Sequence, residues 1–222
     1  MDAAGDALTG DGFVDRRQCE TLVMIYTVGH STLTQDELVT LLAGASVTRL
    51  WDVRSYPSSH WEWFRRERME TWLPQAGVAY RWVPALGGRR GAPSSGGRGT
   101  AQRAAQESLA LAWHEEGFVN YQWHMVTEEF FAAADELAEL GGRDNVGVMC
   151  AEGVWWRCHR SMIADYLAVA GSEVVHLQPL PVRHAEAIGD RLGRYDPEVL
   201  AAWRRHLGAD GAAFGAAFPA GR

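Results

Sequence analysis

The segment VMCAEGVWWRCHR, residues 148–160, places two cysteines, one carboxylate, one histidine and two arginines within eleven positions. An apolar run precedes it and a helical pattern follows, so the sulfur of Cys150 could face backbone N–H groups and the positive end of a helix. Those groups, together with Arg157, Arg160 and a protonated His159, stabilise a thiolate. Such a cysteine is a nucleophile or a soft metal ligand at neutral pH. The segment therefore predicts a cysteine-dependent site, the alternative being a small buried apolar cysteine.

The residues beside Cys150 have more than one interpretation. Cys158 is a resolving thiol, a second metal ligand or a residue packed against the sheet. His159 is a general base or a helix cap, since its titration near neutral pH suits either role. Arg157 and Arg160 suit a bound oxyanion such as phosphate or sulfate, because a guanidinium group matches that shape.

Glu152 and the spacing of the segment limit the chemistry. Glu152 is a candidate substrate-binding residue, although a salt bridge from Glu152 or Asp165 to the arginines is the alternative. Six residues lie between Cys150 and Arg157. This is one residue more than the spacing between the cysteine and the arginine of cysteine phosphatases, so the phosphatase motif does not match. The spacing of Cys150, Cys158 and His159 is unlike the familiar structural zinc patterns. No metal and no cofactor is therefore assigned; if a metal binds, its ligands would be these three residues and His30.

Two further polar clusters follow apolar strands. In LWDVRS, Asp52 beside Arg54 would be ionised and could orient an arginine or take a proton, unless it only caps the loop. In VGHST, His30 and Ser31 follow a glycine that allows a tight turn, and the pair could do acid/base work. A lone histidine at the end of a strand is, however, more often structural.

Arginine and tryptophan side chains flank these clusters. Arg89 and Arg90 in LGGRRG predict a mobile anion clamp or, alternatively, a solvated loop. The chain has 10 tryptophans. Trp155, Trp156 and those of SHWEWF could stack on a base or another planar ligand, or could cover the core.

Alternating strands and helices must position all of these residues. Apolar runs predict five strands, in TLVMIYTVG, VTRLWDVR, VAYRWVPAL, NVGVMC and SEVVHLQ. Helices are predicted in TQDELVTLLAGA (with Thr34 as cap), RMETWLPQAG, EEFFAAADELAEL, residues 157–170 and DPEVLAAWRRHL. This order indicates an α/β fold, a mostly parallel sheet with helices on both faces, as in rhodanese-like or flavodoxin-like three-layer sandwiches. Ligands of such sheets bind at the carboxyl ends of the strands, where all three polar segments fall.

The expected organisation is a single α/β domain over residues 21–207. A flexible leader over 1–20 and a flexible Gly/Ala-rich tail over 208–222 would flank it. The segment GGRRGAPSSGGRG, residues 87–99, is predicted to be a flexible loop that could cover a site.

Composition excludes several classes of function. The net charge of -7 argues against nonspecific coating of DNA, which needs accumulated positive charge. All 21 basic residues are arginine, which excludes Schiff-base chemistry and a phosphate-loop lysine. Three cysteines do not make a disulfide scaffold, so a reducing cytoplasm is expected. No apolar run is long enough to span a membrane, and no secretory signal is recognised.

Five separated motifs resemble the domain-of-unknown-function 488 family: YTVGHST, LWDVRSYP, ALGGRR, GFVNYQWHM and VMCAEGVWWRCHRSMIADYL. The resemblance covers roughly residues 24–178 and implies a fold class and a site rather than a reaction. After Pro57 the chain has SSHWEWF, where family members usually carry arginine and asparagine, which puts an inherited substrate preference in doubt. Some members carry DNA-repair-type labels, which points to nucleic acid. A looser likeness to rhodaneses, in which a loop cysteine carries a persulfide, rests on LWDVRS and the Cys150 segment.

Three hypotheses follow. The first is an enzyme that uses Cys150 as a thiolate for sulfur or phosphoryl transfer, with a small anionic substrate or a nucleotide held by Arg157 and Arg160. His159 or His30 would then move a proton. The second is a nucleic-acid-binding module that uses arginine loops and tryptophan stacking. The third is a metalloprotein with cysteine and histidine ligands.

Overall fold

The strands of the computed structural model form one sheet at the centre of the residues that the structure describes, 24–90, 116–178, 180–187 and 189–208. The strands are β1 Met24–Gly29, β2 Arg49–Asp52, β3 Ala79–Trp82, β4 Val146–Cys150, β5 Glu173–His176 and β6 Val182–Arg183. Their order is β3-β2-β4-β1-β5-β6, and only β6 pairs antiparallel with its neighbour. The five predicted strands and the mostly parallel sheet are confirmed. Strand β6 was not predicted, because two residues are too few to form a recognisable pattern.

Seven helices occur within the described ranges. They are α1 Gln35–Gly44, α2 Arg66–Gln75, α3 Glu116–His124, α4 Glu128–Gly141, α5 Arg160–Val169, α6 His184–Ala187 and α7 Pro197–His206. Thr34 caps α1 in a reciprocal capping box with Glu37, as its sequence predicts. Asp196 caps α7 just before Pro197, whose missing N–H costs nothing in the first turn. Helices α3 and α6 were not predicted.

The helices cover both faces of the sheet and create two apolar cores. Because side chains alternate along a strand, Ile25 and Val148 point to one face and Val28 and Met149 to the other. Helices α3, α4, α5 and α7 pack on the first face, and α1 and α2 pack on the second. The result is the predicted three-layer sandwich.

Some predicted features lie outside the described residues. These are the leader over 1–20, all but the first residue of the tail over 208–222, and residues 91–99 of the predicted arginine-rich loop. None of the helices within the described ranges has the length and apolarity needed to cross a bilayer.

Candidate active site

Cys150 is the last residue of β4, and its side chain points to the face that α4 and α5 cover. The loop after β4 is tied to the loop after β1 by two backbone hydrogen bonds. His30 N donates to the carbonyl of Cys150 at 3.0 Å, and Ser31 N donates to that of Ala151 at 2.9 Å. The carboxyl ends of β1 and β4 thus form one rim, as expected for parallel neighbours.

The sulfur of Cys150 lies against a second sulfur. The Sγ atoms of Cys150 and Cys158 are 2.7 Å apart, and the two free thiols are only 3% and 5% exposed. Two N–H groups also point at Cys150 Sγ, Arg160 Nε at 3.0 Å and the backbone N of Glu152 at 3.3 Å. Donors directed at a sulfur favour its ionised form, so this cluster is built to hold a negative charge.

His159 completes the cluster on the side of Cys158. Its Nδ1 lies 3.5 Å from Cys158 Sγ, and its Nε2 lies 3.1 Å from the carbonyl oxygen of Val53. A carbonyl can only accept, so Nε2 carries a proton. Nδ1 is then able to accept a proton from the thiol, or to donate to the thiolate when the ring is protonated.

The pKa values of the two thiols shift in opposite directions. Burial raises the pKa of Cys150, and the adjacent Cys158 raises it further. Burial also opposes ionisation of Cys158, but the hydrogen bond from Cys150 and the charges of His159 and Arg160 outweigh it. Together they hold the pKa of Cys158 well below its usual range. These directions favour Cys158 as the thiolate, whereas the sequence pattern favoured Cys150.

The sulfur pair and His159 also have the composition of a metal site. The ligand atoms of Cys150, Cys158 and His159 all lie within 4.8 Å of one another. Two thiolates bound to one tetrahedral zinc ion lie about 3.7 Å apart, given zinc–sulfur bonds of about 2.3 Å. The two sulfurs are 2.7 Å apart, so a zinc ion held by both would require them to separate by about 1 Å.

A cavity of about 480 Å³ opens onto the sulfur pair. Both cysteines, Glu152, Arg89 and Arg157 contribute to its lining. Within the described part of the chain, the exposed guanidinium groups of Arg89 and Arg157 have no hydrogen bond or ion pair, which leaves their donors available to an anion. The cavity volume suits a small molecule up to the size of a nucleotide.

Arg160 has a different position from the one that the anion hypothesis requires. It is 1% exposed, and all three of its nitrogens are engaged, Nε with Cys150 Sγ, one terminal nitrogen with the Glu152 carbonyl and the other with Thr27 Oγ1. A guanidinium group held in this way stabilises the charge of the sulfur pair rather than reaching into the cavity.

Arg54 and Arg90 are also engaged within the protein. Arg54 lines the cavity, but its guanidinium group makes a buried ion pair with Asp52 and donates to the Phe64 carbonyl at 2.9 Å. Arg90 donates to the carbonyl of Gly87 at 2.9 Å and also to the carbonyls of Pro84 and Ala85. It therefore closes the turn that carries Arg89.

His30 and Asp52 lie behind Arg54 and are 4% and 0% exposed. His30 stacks on Phe64 and faces Arg54 NH1 through Nε2 at 3.3 Å. Burial and the charge of Arg54 lower the pKa of His30 to about 4, so the ring is neutral. Asp52 accepts hydrogen bonds from Arg54 and from Tyr80 Oη. Both residues brace the loop after β2 and are separated from the sulfur pair.

Four further candidates take different positions. Ser31 has a φ of 38° and is exposed beside the loop after β4. Glu152 accepts a hydrogen bond from Val154 N at 3.0 Å with its carboxylate, which lies at the cavity. Trp155 is buried and stacks on His176 at 3.9 Å, so it serves the core. Trp156 is 50% exposed and available to a planar ligand.

Sequence patterns did not identify several residues that connect to the site. Thr27, His176 and His184 form a buried hydrogen-bonded series that leads from Arg160 to Asp165. His176 carries the one available signal, a titratable residue that directly follows the two valines of β5. The others are distant in sequence, and no local pattern brings them together.

Comparison with known proteins identifies the chain only at the level of a family. No curated protein and no solved structure matches it. A family model, described as "Domain of unknown function DUF488", matches residues 34–167, a shorter range than the motifs indicated. Cys150, Cys158, His159 and Arg160 lie inside that range, whereas His30 precedes it. Since the match covers more than half of the sequence, the chain belongs to the DUF488 family.

Proposed function

We propose that the protein is a cysteine-dependent transferase that acts on a small anionic substrate, with the thiolate of Cys158 as nucleophile. One observation carries the proposal, the pair of buried sulfurs 2.7 Å apart on the floor of a cavity in which Arg89 and Arg157 have no side-chain partner among the described residues. A thiolate at Cys158 is stabilised at neutral pH by the hydrogen bond from Cys150 and by the charges of His159 and Arg160. Arg89 and Arg157 provide charge for an oxyanion.

Sulfur transfer is favoured over phosphoryl transfer. A phosphoryl site of the cysteine type needs an arginine that stands beside the nucleophile and is free to hold the transferred group. The arginine nearest the sulfur pair, Arg160, has all its nitrogens bonded within the protein. A second thiol beside the nucleophile has no evident use in phosphoryl transfer, whereas here it stabilises the thiolate of Cys158 as a hydrogen-bond donor.

The proposed reaction balances with an anionic sulfane-sulfur donor such as thiosulfate. The thiolate of Cys158 attacks the outer sulfur, a new S–S bond forms, and the bond to the sulfonate group breaks. Sulfite leaves with the electron pair, and Cys158 becomes a persulfide anion beside Arg160. A nucleophilic acceptor such as cyanide then takes the outer sulfur as thiocyanate and restores the thiolate.

Mass spectrometry of protein incubated with thiosulfate tests the proposal. We expect one added sulfur atom on the peptide that contains Cys158, its removal by cyanide, and no addition in Cys158→Ser. The Cys19→Ser variant removes the cysteine outside the described residues and should behave like the parent chain. Failure of Cys158 to gain sulfur from thiosulfate in protein that is folded and reduced would overturn sulfur transfer from this donor class.

Anion binding gives a second, independent prediction. Sulfate should protect Cys158 from alkylation by iodoacetamide, and Arg157→Gln should raise the sulfate concentration needed by about tenfold, the value of one charge-assisted hydrogen bond. The matched control is Arg143→Gln, which removes an exposed arginine before β4, at the opposite edge of the sheet. Equal protection in both variants would show that Arg157 does not contact the anion.

A further inference from the structure

A continuous series of buried hydrogen bonds begins at Arg160 and returns to the same helix. Arg160 NH1 lies 3.3 Å from Thr27 Oγ1, and Thr27 Oγ1 lies 2.7 Å from His176 Nδ1. His176 Nε2 lies 2.9 Å from His184 Nδ1, and His184 Nε2 lies 2.8 Å from Asp165 Oδ1. These groups come from β1, β5, α6 and α5. Their relative exposures are between 0% and 3%.

The far end of the series is anchored by charge. Arg191 donates to both carboxylate oxygens of Asp165 at 2.9 Å, and Tyr195 Oη donates to Oδ2 at 2.7 Å. Burial opposes ionisation of Asp165, but the hydrogen bonds from His184 and Arg191 hold its pKa below the usual value, so the carboxylate is ionised. An ionised carboxylate can only accept, which fixes the last step of the series.

One arrangement of protons satisfies every group. Arg160 can only donate, so Thr27 accepts from it, and the hydroxyl of Thr27 can donate to Nδ1 of His176. His176 then donates through Nε2 to His184, which donates through its Nε2 to Asp165. Burial lowers the pKa of His176 to about 2, so its ring stays neutral as this arrangement requires. In this arrangement the series runs in a single direction, from the guanidinium group to the carboxylate.

Such a buried series destabilises the fold unless every member has a hydrogen-bond partner. A buried hydroxyl or imidazole without a partner destabilises the fold, so each member depends on the next. Thr27 and His176 stand directly opposite each other on the paired strands β1 and β5, which fixes their separation. The one member that touches the sulfur pair is Arg160, whose Nε lies 3.0 Å from Cys150.

We propose that Thr27, His176, His184 and Asp165 are positioning residues that hold the guanidinium group of Arg160 against Cys150 and thereby set the reactivity of the thiol pair. The inference rests on the proposed function in taking that pair as the reactive centre. It also assigns a role in the site to His176, His184 and Arg191, which lie after the family match ends at residue 167.

Other ionisable groups face the same pair, and they must stay unchanged in any test. They are His159 just before α5, Tyr121 from α3, Glu152 and Arg157 from the loop after β4, Arg54 after β2, and Arg89. A substitution at Thr27 touches none of them directly, because Thr27 lies beneath Arg160 on β1.

The experiment is the pH profile of iodoacetamide alkylation of Cys158, read by mass spectrometry of the full chain in a Cys19→Ser background. Thr27→Val keeps the size and branching of the side chain but removes the hydroxyl. We expect alkylation at neutral pH to slow by about tenfold, the effect of losing a group that orients a reactive one, and the profile to move to higher pH. Thr27→Ser restores the hydroxyl and should restore the profile.

A wild-type profile in folded Thr27→Val would overturn the inference. Should Thr27→Val not fold, Thr27→Ala, which adds no bulk, carries the same expectation and the same criterion. If Cys158 is alkylated as slowly in Thr27→Ser as in Thr27→Val, the inference is also overturned, since altered packing rather than loss of the hydroxyl would be responsible. Alkylation needs no substrate, so a shifted profile without persulfide formation would refute sulfur transfer alone, and persulfide formation with an unshifted profile would refute the positioning role alone.

Discussion

Replacement of Cys158 by serine is expected to slow alkylation of the sulfur pair at neutral pH by at least about tenfold, because the thiolate is the reactive form. The remaining thiol, Cys150, is buried, and burial raises its pKa. The sign of the pH dependence follows from the lowered pKa of Cys158. In the parent chain the thiolate persists at neutral pH and is lost only when the solution is acidified through that lowered value.

Cys150→Ser is the matched control for this prediction. A serine hydroxyl can still donate to the Cys158 thiolate, and Arg160 and His159 remain in place. Cys150→Ser should therefore retain fast alkylation at neutral pH, and peptide mapping should locate the label at Cys158. If Cys150→Ser loses reactivity and Cys158→Ser keeps it, the charge belongs to Cys150 and the assignment made here is reversed.

Replacement of Gly29 by alanine is expected to lower the free energy of unfolding by about 3 kcal/mol or more, at the upper end for overpacking of a core. A Cβ atom at Gly29 would lie 1.9 Å from the carbonyl oxygen of Glu152 and 2.8 Å from a terminal nitrogen of Arg160. The first of these atoms belongs to the backbone, so the loop after β4 must move. That loop supplies a donor to Cys150, so alkylation should slow as well.

Gly44→Ala provides the control for Gly29→Ala. Gly44 is the last residue of α1, and a Cβ atom there would have nothing within 4 Å. Alanine in a helix is favoured over glycine by about 0.5–1 kcal/mol, so this variant should be as stable as the parent or slightly more stable. Chemical denaturation of the two variants measures the difference. Equal stability of Gly29→Ala and the parent would mean that the loop does not approach β1 as described.

The sequence predicted the fold well, because each strand and helix has a local signature. The apolar run ending at Cys150 identifies a central strand, and all five of its residues are buried. The polar segments after β1, β2 and β4 were expected at one edge of the sheet, and the parallel pairing puts their strand ends there. Helix α3 was missed because its buried face includes polar residues such as Asn120 and Gln122.

The three polar segments were expected to share one crevice at this edge. The sequence cannot tell which of their side chains enter it, because that depends on the face of the sheet to which each side chain points. Gly29 is in register with Cys150, so the next residue, His30, points to the opposite face of the sheet. Asp52 is in register with Met149 and also points away from the sulfur. A shift of one residue decides the face, and no composition signal reveals it.

The contact between Arg160 and Cys150, and the buried hydrogen-bonded series behind Arg160, were harder still to predict. Arg160 was expected to bind an anion, because its position in helix α5 carries no sign that it would be 1% exposed. Its role follows from contacts with Thr27 and Glu152, which are distant in sequence or involve the backbone. Such contacts depend on the tertiary arrangement of β1, β4 and α5.

The central claim is that Cys150 and Cys158 together hold one proton at neutral pH. Titration of the ultraviolet thiolate absorbance of Cys19→Ser tests it most directly, with Cys158→Ser as the reference. We expect the absorbance of one thiolate at neutral pH, lost in Cys158→Ser, and ionisation of the second thiol only well above the ordinary cysteine value of 9.0. If the absorbance at neutral pH is absent and both thiols ionise together near that ordinary value, Cys150 and Cys158 do not share a proton.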